Sequence, residues 1–211
     1  MPLIYFSGPD GAGKSSLARA LFRVLQQRGV RVKLSWMRGT HTFASLVARF
    51  LRRFSAFRGV DNPNYGITIP KKMRRLWQLI EFTSMLPILL ARFILPSFLG
   101  YTVIGERYAP DFIVWIILTS RDKQFLNTLD AKFLLALAAR TQKSMFVTAK
   151  YTTLKKRRSD TYPAFLIEQL KLYRYLAKTL NTLILDTTSM TVEESTQTIL
   201  RLINTKNLQK K

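Results

Sequence analysis

Short apolar runs alternate along the chain with longer stretches of helical periodicity. Leu3-Ile4-Tyr5-Phe6 is an unbroken apolar run that ends at the polar Ser7, which predicts a buried strand. Leu17, Ala18, Leu21, Phe22 and Leu25 recur at helical spacing and predict a helix from Lys14 to about Arg28, stopped by Gly29. Val30 to Trp36 alternates apolar and polar positions and predicts a second strand. Phe43, Leu46, Val47, Phe50, Leu51 and Phe54 form the apolar face of a helix predicted over Thr42 to Phe57. Gly59 to Pro70 holds Asp61-Asn62-Pro63-Asn64 and Gly66, turn chemistry that predicts a mobile loop.

Lys71-Lys72 and Arg74-Arg75 then open a long apolar helix. Phe82 to Gly100 carries only Arg92 as a charge, with Glu81 at its start and Pro87 and Pro96 inside it. A membrane-spanning helix needs about 20 apolar residues, so length leaves that reading open. The segment runs straight into Tyr101 to Gly105, a third strand, and so reads as a buried or kinked core helix; no membrane contact is expected. Helices follow over Ala109 to Thr119 and, capped by Thr128, Leu129 to Ala139. Lys143 to Thr148 is a fourth strand. A helix over Phe165 to Leu180 points Leu166, Leu170, Tyr173, Leu176 and Ala177 inward, and Thr182 to Leu185 is a fifth strand. Thr191 and Glu194 make a capping box for the last helix. The alternation predicts an α/β three-layer sandwich, a five-stranded parallel sheet flanked by helices. One domain is expected over 1–204, followed by a basic tail over 205–211.

Composition narrows the chemistry. The 211 residues include no cysteine and one histidine, His41. Disulfides and thiolate metal sites are excluded, and a His-based zinc site or His-dependent triad is disfavoured. No leader precedes the first strand, so a cytoplasmic protein is expected. The net charge of +22, from 34 basic against 12 acidic residues, favours anionic partners: nucleotides, nucleic acid or an anionic surface. The densest basic region lies over 49–75. A solvated surface and a polyanion contact both fit it, and few aromatics interleave there to stack single-stranded bases.

Gly8-Pro9-Asp10-Gly11-Ala12-Gly13-Lys14-Ser15 fits G-x-x-x-x-G-K-[ST], the phosphate-binding loop of nucleoside triphosphatases, in its required place between strand and helix. Glycines permit close backbone approach, and the loop amides and helix N-terminus point at anionic oxygens. Lys14 is expected to reach the β- and γ-phosphates of ATP, and the Ser15 hydroxyl to ligate Mg²⁺. Arg38 follows the second strand, where open α/β sheets bind ligands, and is a candidate for a phosphate. Glu106-Arg107-Tyr108 follows the third. There the carboxylate can hold Mg²⁺ and the arginine can neutralise a transferring phosphoryl group. Lys155-Lys156-Arg157-Arg158, closed by Ser159 to Pro163, reads as a lid over phosphates, about 151–163, or as a charged helix end.

In this order the motifs resemble the thymidylate kinase family of nucleoside monophosphate kinases, from Leu3 to about Ile203. The residues that carry the resemblance are Gly8 to Ser16, Glu106-Arg107-Tyr108, Lys156-Arg157-Arg158 with Tyr162, and Asp186-Thr187-Thr188. It implies the P-loop NTPase fold, often as a homodimer, and transfer of the ATP γ-phosphate to a nucleoside monophosphate such as dTMP. Gly8, Asp10, Gly11, Ala12, Gly13, Lys14, Ser15 and Ser16 would cradle ATP, and Asp186 and Thr187 would close the adenine pocket. Ser15 and Glu106 would serve the metal. Lys14, Arg107, Arg157 and Arg158 would act on the transferring phosphates. Asp10, Arg38 and Tyr108 would meet the acceptor, with Trp77 and Phe82 as candidates for its base. The family's base-reading arginine has no clear counterpart near Trp77, Glu81 and Phe82.

Overall fold

The computed structural model describes residues 3–37, 39–141, 143–158 and 163–203. Its extended segments are β1 (Leu3–Ser7), β2 (Val32–Trp36), β3 (Arg58–Asn62), β4 (Thr102–Glu106), β5 (Lys143–Thr148) and β6 (Leu183–Asp186). All but β3 join one parallel sheet in the order β2-β4-β1-β5-β6. β1 is central and buried throughout, which is why it reads as an unbroken apolar run. β2 lies at the edge, is only partly buried, and alternates.

The helices are α1 (Lys14–Gln27), α2 (Thr42–Leu51), α3 (Arg74–Leu89), α4 (Leu95–Phe98), α5 (Ala109–Ser120), α6 (Leu129–Ala139), α7 (Tyr151–Arg157), α8 (Pro163–Thr179) and α9 (Val192–Ile203). They cover both sheet faces. Leu3 and Tyr5 of β1 pack into a cluster with Phe112, Phe146 and Tyr173. Ile4 and Phe6 pack into a second, with Leu21, Leu185 and Ile199. The split follows the two-residue period of a strand. The fold class is as expected: α/β, with a five-stranded parallel sheet flanked by helices.

Three local expectations are corrected. The helix predicted to Phe57 ends at Leu51. Its apolar face is largely outward: Phe43, Leu46 and Phe50 are 60%, 61% and 56% exposed, and Phe54 is exposed as well. α2 instead approaches α3 through Ala44 and Ala48. The Ala44 amide donates to Ser84 Oγ (2.9 Å) and Thr42 Oγ1 donates to the Ser84 carbonyl (2.7 Å).

The segment 59–70 is not a loose loop. β3 folds back on Ile67, and Ile67 and Ile69 join Ala44, Ala48 and Trp77 in a third apolar cluster. Asn62 Oδ1 accepts the Asn64 amide (3.2 Å), and Asp61 pairs with Arg121 (2.5 Å).

The long apolar helix is only partly core. α3 continues through a π turn at Leu90–Ile94 into α4. Pro96 has no N–H for the Arg92 carbonyl four residues back, and Ser35 Oγ donates to that carbonyl instead (2.7 Å). Trp77, Met85, Leu89 and Phe93 face inward, whereas Leu76, Leu79, Leu86, Leu90, Leu95 and Phe98 are exposed.

Candidate active site

The chain leaves β1 at Ser7, and residues 8–13 connect it to α1. A side chain at Gly8 would place its Cβ 2.0 Å from the Val147 carbonyl oxygen, so only glycine lets the loop pass β5. Gly13 precedes α1 at φ +88°, a left-handed conformation that costs a residue with a Cβ. A cavity of about 560 Å³ opens here at the C-terminal ends of the strands, within the size range of small-ligand sites. Gly11, Gly13, Lys14, Ser15 and Ser16 line it from the loop and α1, and Glu106 and Arg107 from the end of β4. Arg157 and Arg158 enter from α7, and Thr187, Met190, Thr191, Val192 and Ser195 from β6 onwards.

Asp111 organises the floor. It is buried in the first turn of α5, and both its oxygens accept hydrogen bonds. Oδ2 receives Ser7 Oγ (2.6 Å) and the Tyr108 amide (3.1 Å). Oδ1 receives Tyr173 OH (2.8 Å), Arg107 Nη1 (3.2 Å) and the Gly8 amide (3.5 Å). Arg107 also pairs with Asp10, whose amide donates to Gln169 Oε1 (3.3 Å). Burial disfavours the Arg107 charge, and Tyr173, Asp111 and Asp10 more than offset it. Arg107 itself sits at φ +77°, backbone strain that its two carboxylate partners hold in place.

Lys14 is buried and donates to the Pro9 carbonyl (2.6 Å). Burial, then the Arg107 charge, lowers its pKa to about 7, against the opposite pull of Asp10, Asp111 and Glu106. Ser15 Oγ donates to Glu106 Oε1. A hydroxyl and a carboxylate oxygen so juxtaposed suit a hard divalent ion that takes its other ligands from phosphate and water. No cluster of three or more His, Cys, Asp or Glu exists among the described residues to hold a metal by side chains alone. Arg157 is braced against the opposite wall, donating to Thr187 Oγ1 (3.2 Å), the Thr187 carbonyl (3.1 Å) and the Gly11 carbonyl (3.4 Å).

A second cavity, of about 460 Å³, is lined by Trp36, Gly39, Thr40, His41, Arg49, Arg52, Asn64 and Tyr65. Trp36 lines both cavities. Behind it lies a closed polar network. Thr40 donates through its amide (2.6 Å) and its hydroxyl to Glu81, and accepts from Asn62 Nδ2 (3.0 Å) and Trp115 Nε1 (3.0 Å). Burial raises the Glu81 pKa to about 7 despite the Thr40 hydrogen bonds. Gly39 is required here because a Cβ would fall 1.5 Å from Trp115 Cδ1.

Lys14, Ser15, Ser16, Glu106, Arg107, Arg157, Arg158 and Thr187 thus converge on one cavity, with Asp10 on its rim. Other expected residues do not. Trp77 packs in the third apolar cluster and Phe82 stacks edge-on against Phe133, so neither lines the two cavities described above. Tyr108 is buried between Tyr5 and Phe93. Asp186 turns away and accepts the Thr188 amide (2.8 Å). Gly8 and Ala12 shape the loop without lining the cavity. Arg38, Tyr162 and residues 159–161 lie outside the described residues, as does the tail at 205–211. Sequence reasoning gave Asp111, Tyr173 and Gln169 no functional part. The local signal for Asp111 is an acid at the third position of the first turn of α5.

No protein-family model matches the chain, and no curated protein matches it. Among solved structures, a thymidylate kinase from Candida albicans is similar, with a TM-score of 0.64 and 18% identity over 98% of this chain and 92% of that one. At this identity the likeness is one of fold, the five-stranded parallel sheet flanked by helices described above.

Proposed function

We propose that the protein transfers the γ-phosphoryl group of ATP to a nucleoside monophosphate, dTMP first among the candidates, with Mg²⁺. One observation carries the reading: a phosphate loop, a metal-suited Ser15–Glu106 pair and the cations Lys14, Arg107, Arg157 and Arg158 border a single cavity. Phosphoryl transfer asks mainly for alignment and charge neutralisation, which this set supplies without a nucleophile. Mg²⁺ would neutralise charge on the phosphate oxygens while held by Ser15 and Glu106. Lys14 swings from the Pro9 carbonyl to the ATP phosphates, and its proton is retained once they are beside it. Met190, Thr191 and Val192 form the apolar and hydroxyl edge suited to the adenine side. Arg107, fixed by Asp111 and Asp10, neutralises the transferring group between donor and acceptor. The acceptor enters from the second cavity, across Trp36, with Arg49 and Arg52 at its mouth. Arg38 supports the acceptor phosphate.

The test is ADP release from ATP–Mg²⁺ with dTMP, dUMP, UMP, CMP, AMP and GMP. A panel is needed because the similar Candida albicans enzyme is described as having broad substrate specificity. Strong stimulation by dTMP, lost in Lys14→Ala with the fold intact, is the expected result. No stimulation by any of the six would overturn the nucleotide acceptor, and an active, folded Lys14→Ala protein would overturn the site.

A further inference from the structure

The phosphate cavity already holds the cations that ATP and a monophosphate call for, Lys14, Arg107, Arg157 and Arg158. The second cavity adds two more. Arg49 and Arg52 line it, and none of its lining residues is Asp or Glu. Among the described residues neither guanidinium has a carboxylate partner. Between Asp10 and Glu106 the chain holds only two acids, Asp61 and Glu81; both are buried, and they are bound to Arg121 and Thr40. Arg58 is different, being engaged at the end of α2, where it donates to the Arg52 (3.2 Å) and Arg53 (3.4 Å) carbonyls. Two unneutralised guanidiniums on one cavity repel each other, and a bound anion relieves the repulsion.

The walls of this cavity are held at a cost. Thr40 and Thr42 stand at φ +55° and +47°, left-handed conformations that a β-branched residue rarely adopts. Thr40 is kept there by Glu81, and Thr42 by the Ser84 carbonyl (2.7 Å). Arg52 lies over the Gly66 turn, where a Cβ would stand 3.7 Å from its Nε. The Thr40 hydroxyl is saturated, donating to Glu81 and accepting from Asn62 and Trp115. Thr40 therefore has nothing left to read a ligand with, and recognition passes to the side chains around it, the two arginines foremost.

Trp36 lines both cavities, so a single molecule can span them. With its transferable phosphate at Arg107, its other end meets Arg49 and Arg52. The neutral sugar and base of a nucleoside monophosphate do not call for that pair. We infer that the acceptor carries a second anionic group at this end: it is a mononucleotide phosphorylated on its 3′-oxygen as well as its 5′-oxygen. The inference rests on the proposed kinase reading and narrows its substrate class. Asp10 on the rim does not oppose the second phosphate, because Arg107 pairs with it. In the transfer, an oxygen of the 5′-phosphate bonds to the γ-phosphorus of ATP. The bond from that phosphorus to its bridging oxygen breaks, and the electron pair leaves with ADP. The 3′-phosphate keeps its bonds and its charge.

The test compares thymidine 3′,5′-bisphosphate with dTMP in two measurements. ADP release from ATP–Mg²⁺ gives a KM for each. Calorimetry with a saturating non-hydrolysable ATP analogue and Mg²⁺, which keeps the bisphosphate out of the phosphate loop, gives a Kd for each. Both constants are expected to be about tenfold or more lower for the bisphosphate. Arg49→Gln with Arg52→Gln should bring that ratio to about one at unchanged thermal melting, since both side chains are exposed. Each single variant carries the test should the double one fail to fold. Lys71→Gln with Lys72→Gln removes the same charge outside the cavity and should leave the ratio unchanged. Equal constants for the two ligands, with dTMP active, would overturn the second anion and leave the kinase reading standing. A ratio lowered as much by the lysine pair as by the arginine pair would overturn it as a general field effect. No ADP release with either ligand would overturn the kinase reading, and the calorimetric ratio alone then reports whether Arg49 and Arg52 hold a phosphate. The dinucleotide pdTpdT separates the two sources of a 3′-phosphate. Tighter binding of pdTpdT than of the bisphosphate would assign the site to an oligonucleotide end and overturn the mononucleotide.

Discussion

Replacing Asp111 by asparagine keeps the side chain's shape and removes its charge, so it isolates what the carboxylate does. Every group around it donates. Oδ2 takes the Tyr108 amide at 3.1 Å, and Oδ1 takes Arg107 Nη1 at 3.2 Å. These two donors cannot reorient as the Ser7 and Tyr173 hydroxyls can. Whichever way the new amide is placed, its NH₂ faces a fixed N–H. The substitution therefore breaks a buried ion pair and leaves at least one buried donor unsatisfied. Removing one partner of a buried pair costs about 3–5 kcal/mol, and partial relief through hydroxyl rotation favours the lower end, about 3 kcal/mol. The assay is equilibrium urea unfolding of the parent and Asp111→Asn, with Ser7→Ala as a control expected to lose about 1 kcal/mol for one hydrogen bond. In the same protein Arg107 loses its orientation, so ADP release should fall further than nucleotide binding. A loss below about 1 kcal/mol for Asp111→Asn would refute the claim that this carboxylate organises the floor.

Two buried groups set opposite pH slopes. The Glu81 pKa rises from 4.5 to about 7 on folding, so its contribution to stability is present below pH 4.5 and is lost as pH climbs to about 7; Glu81→Gln should flatten that fall in a urea series. The Lys14 pKa drops from 10.5 to about 7, so the unfolded chain binds more protons between those values and stability rises with pH across that window; Lys14→Met should abolish the rise. At pH 8, ATP binding should take up close to about one proton at Lys14, read as a buffer-dependent heat in calorimetry; equal heats in all buffers would contradict it. Gly39→Ala should cost about 1–3 kcal/mol in thermal or urea unfolding, because its Cβ would meet Trp115; a neutral result would mean the indole moves freely.

Much was legible in the chain because the signals are local. A strand buried on both faces must be apolar throughout, as Leu3 to Phe6 is, and a loop that passes against Val147 and enters a helix at positive φ must have glycine at 8 and 13. Lys14 and Ser15, which open α1 after the loop from β1, and Glu106, at the end of β4, were readable as candidates for the same reason, and they border one cavity. What holds them was not. Ser7 and Asp111 lie 104 residues apart, Arg107 and Asp10 lie 97 apart, and Tyr173 reaches Asp111 across 62. No period or spacing encodes such pairings; they exist only once β1, α5 and α8 are packed. The outward turn of Phe43, Leu46 and Phe50 has the same origin. Helical periodicity establishes that these residues share a face, because 3.6 residues make a turn. Which side of α2 meets the body of the protein was decided by how closely Ala44 and Ala48 let it approach α3, a tertiary fact with no mark in the local sequence.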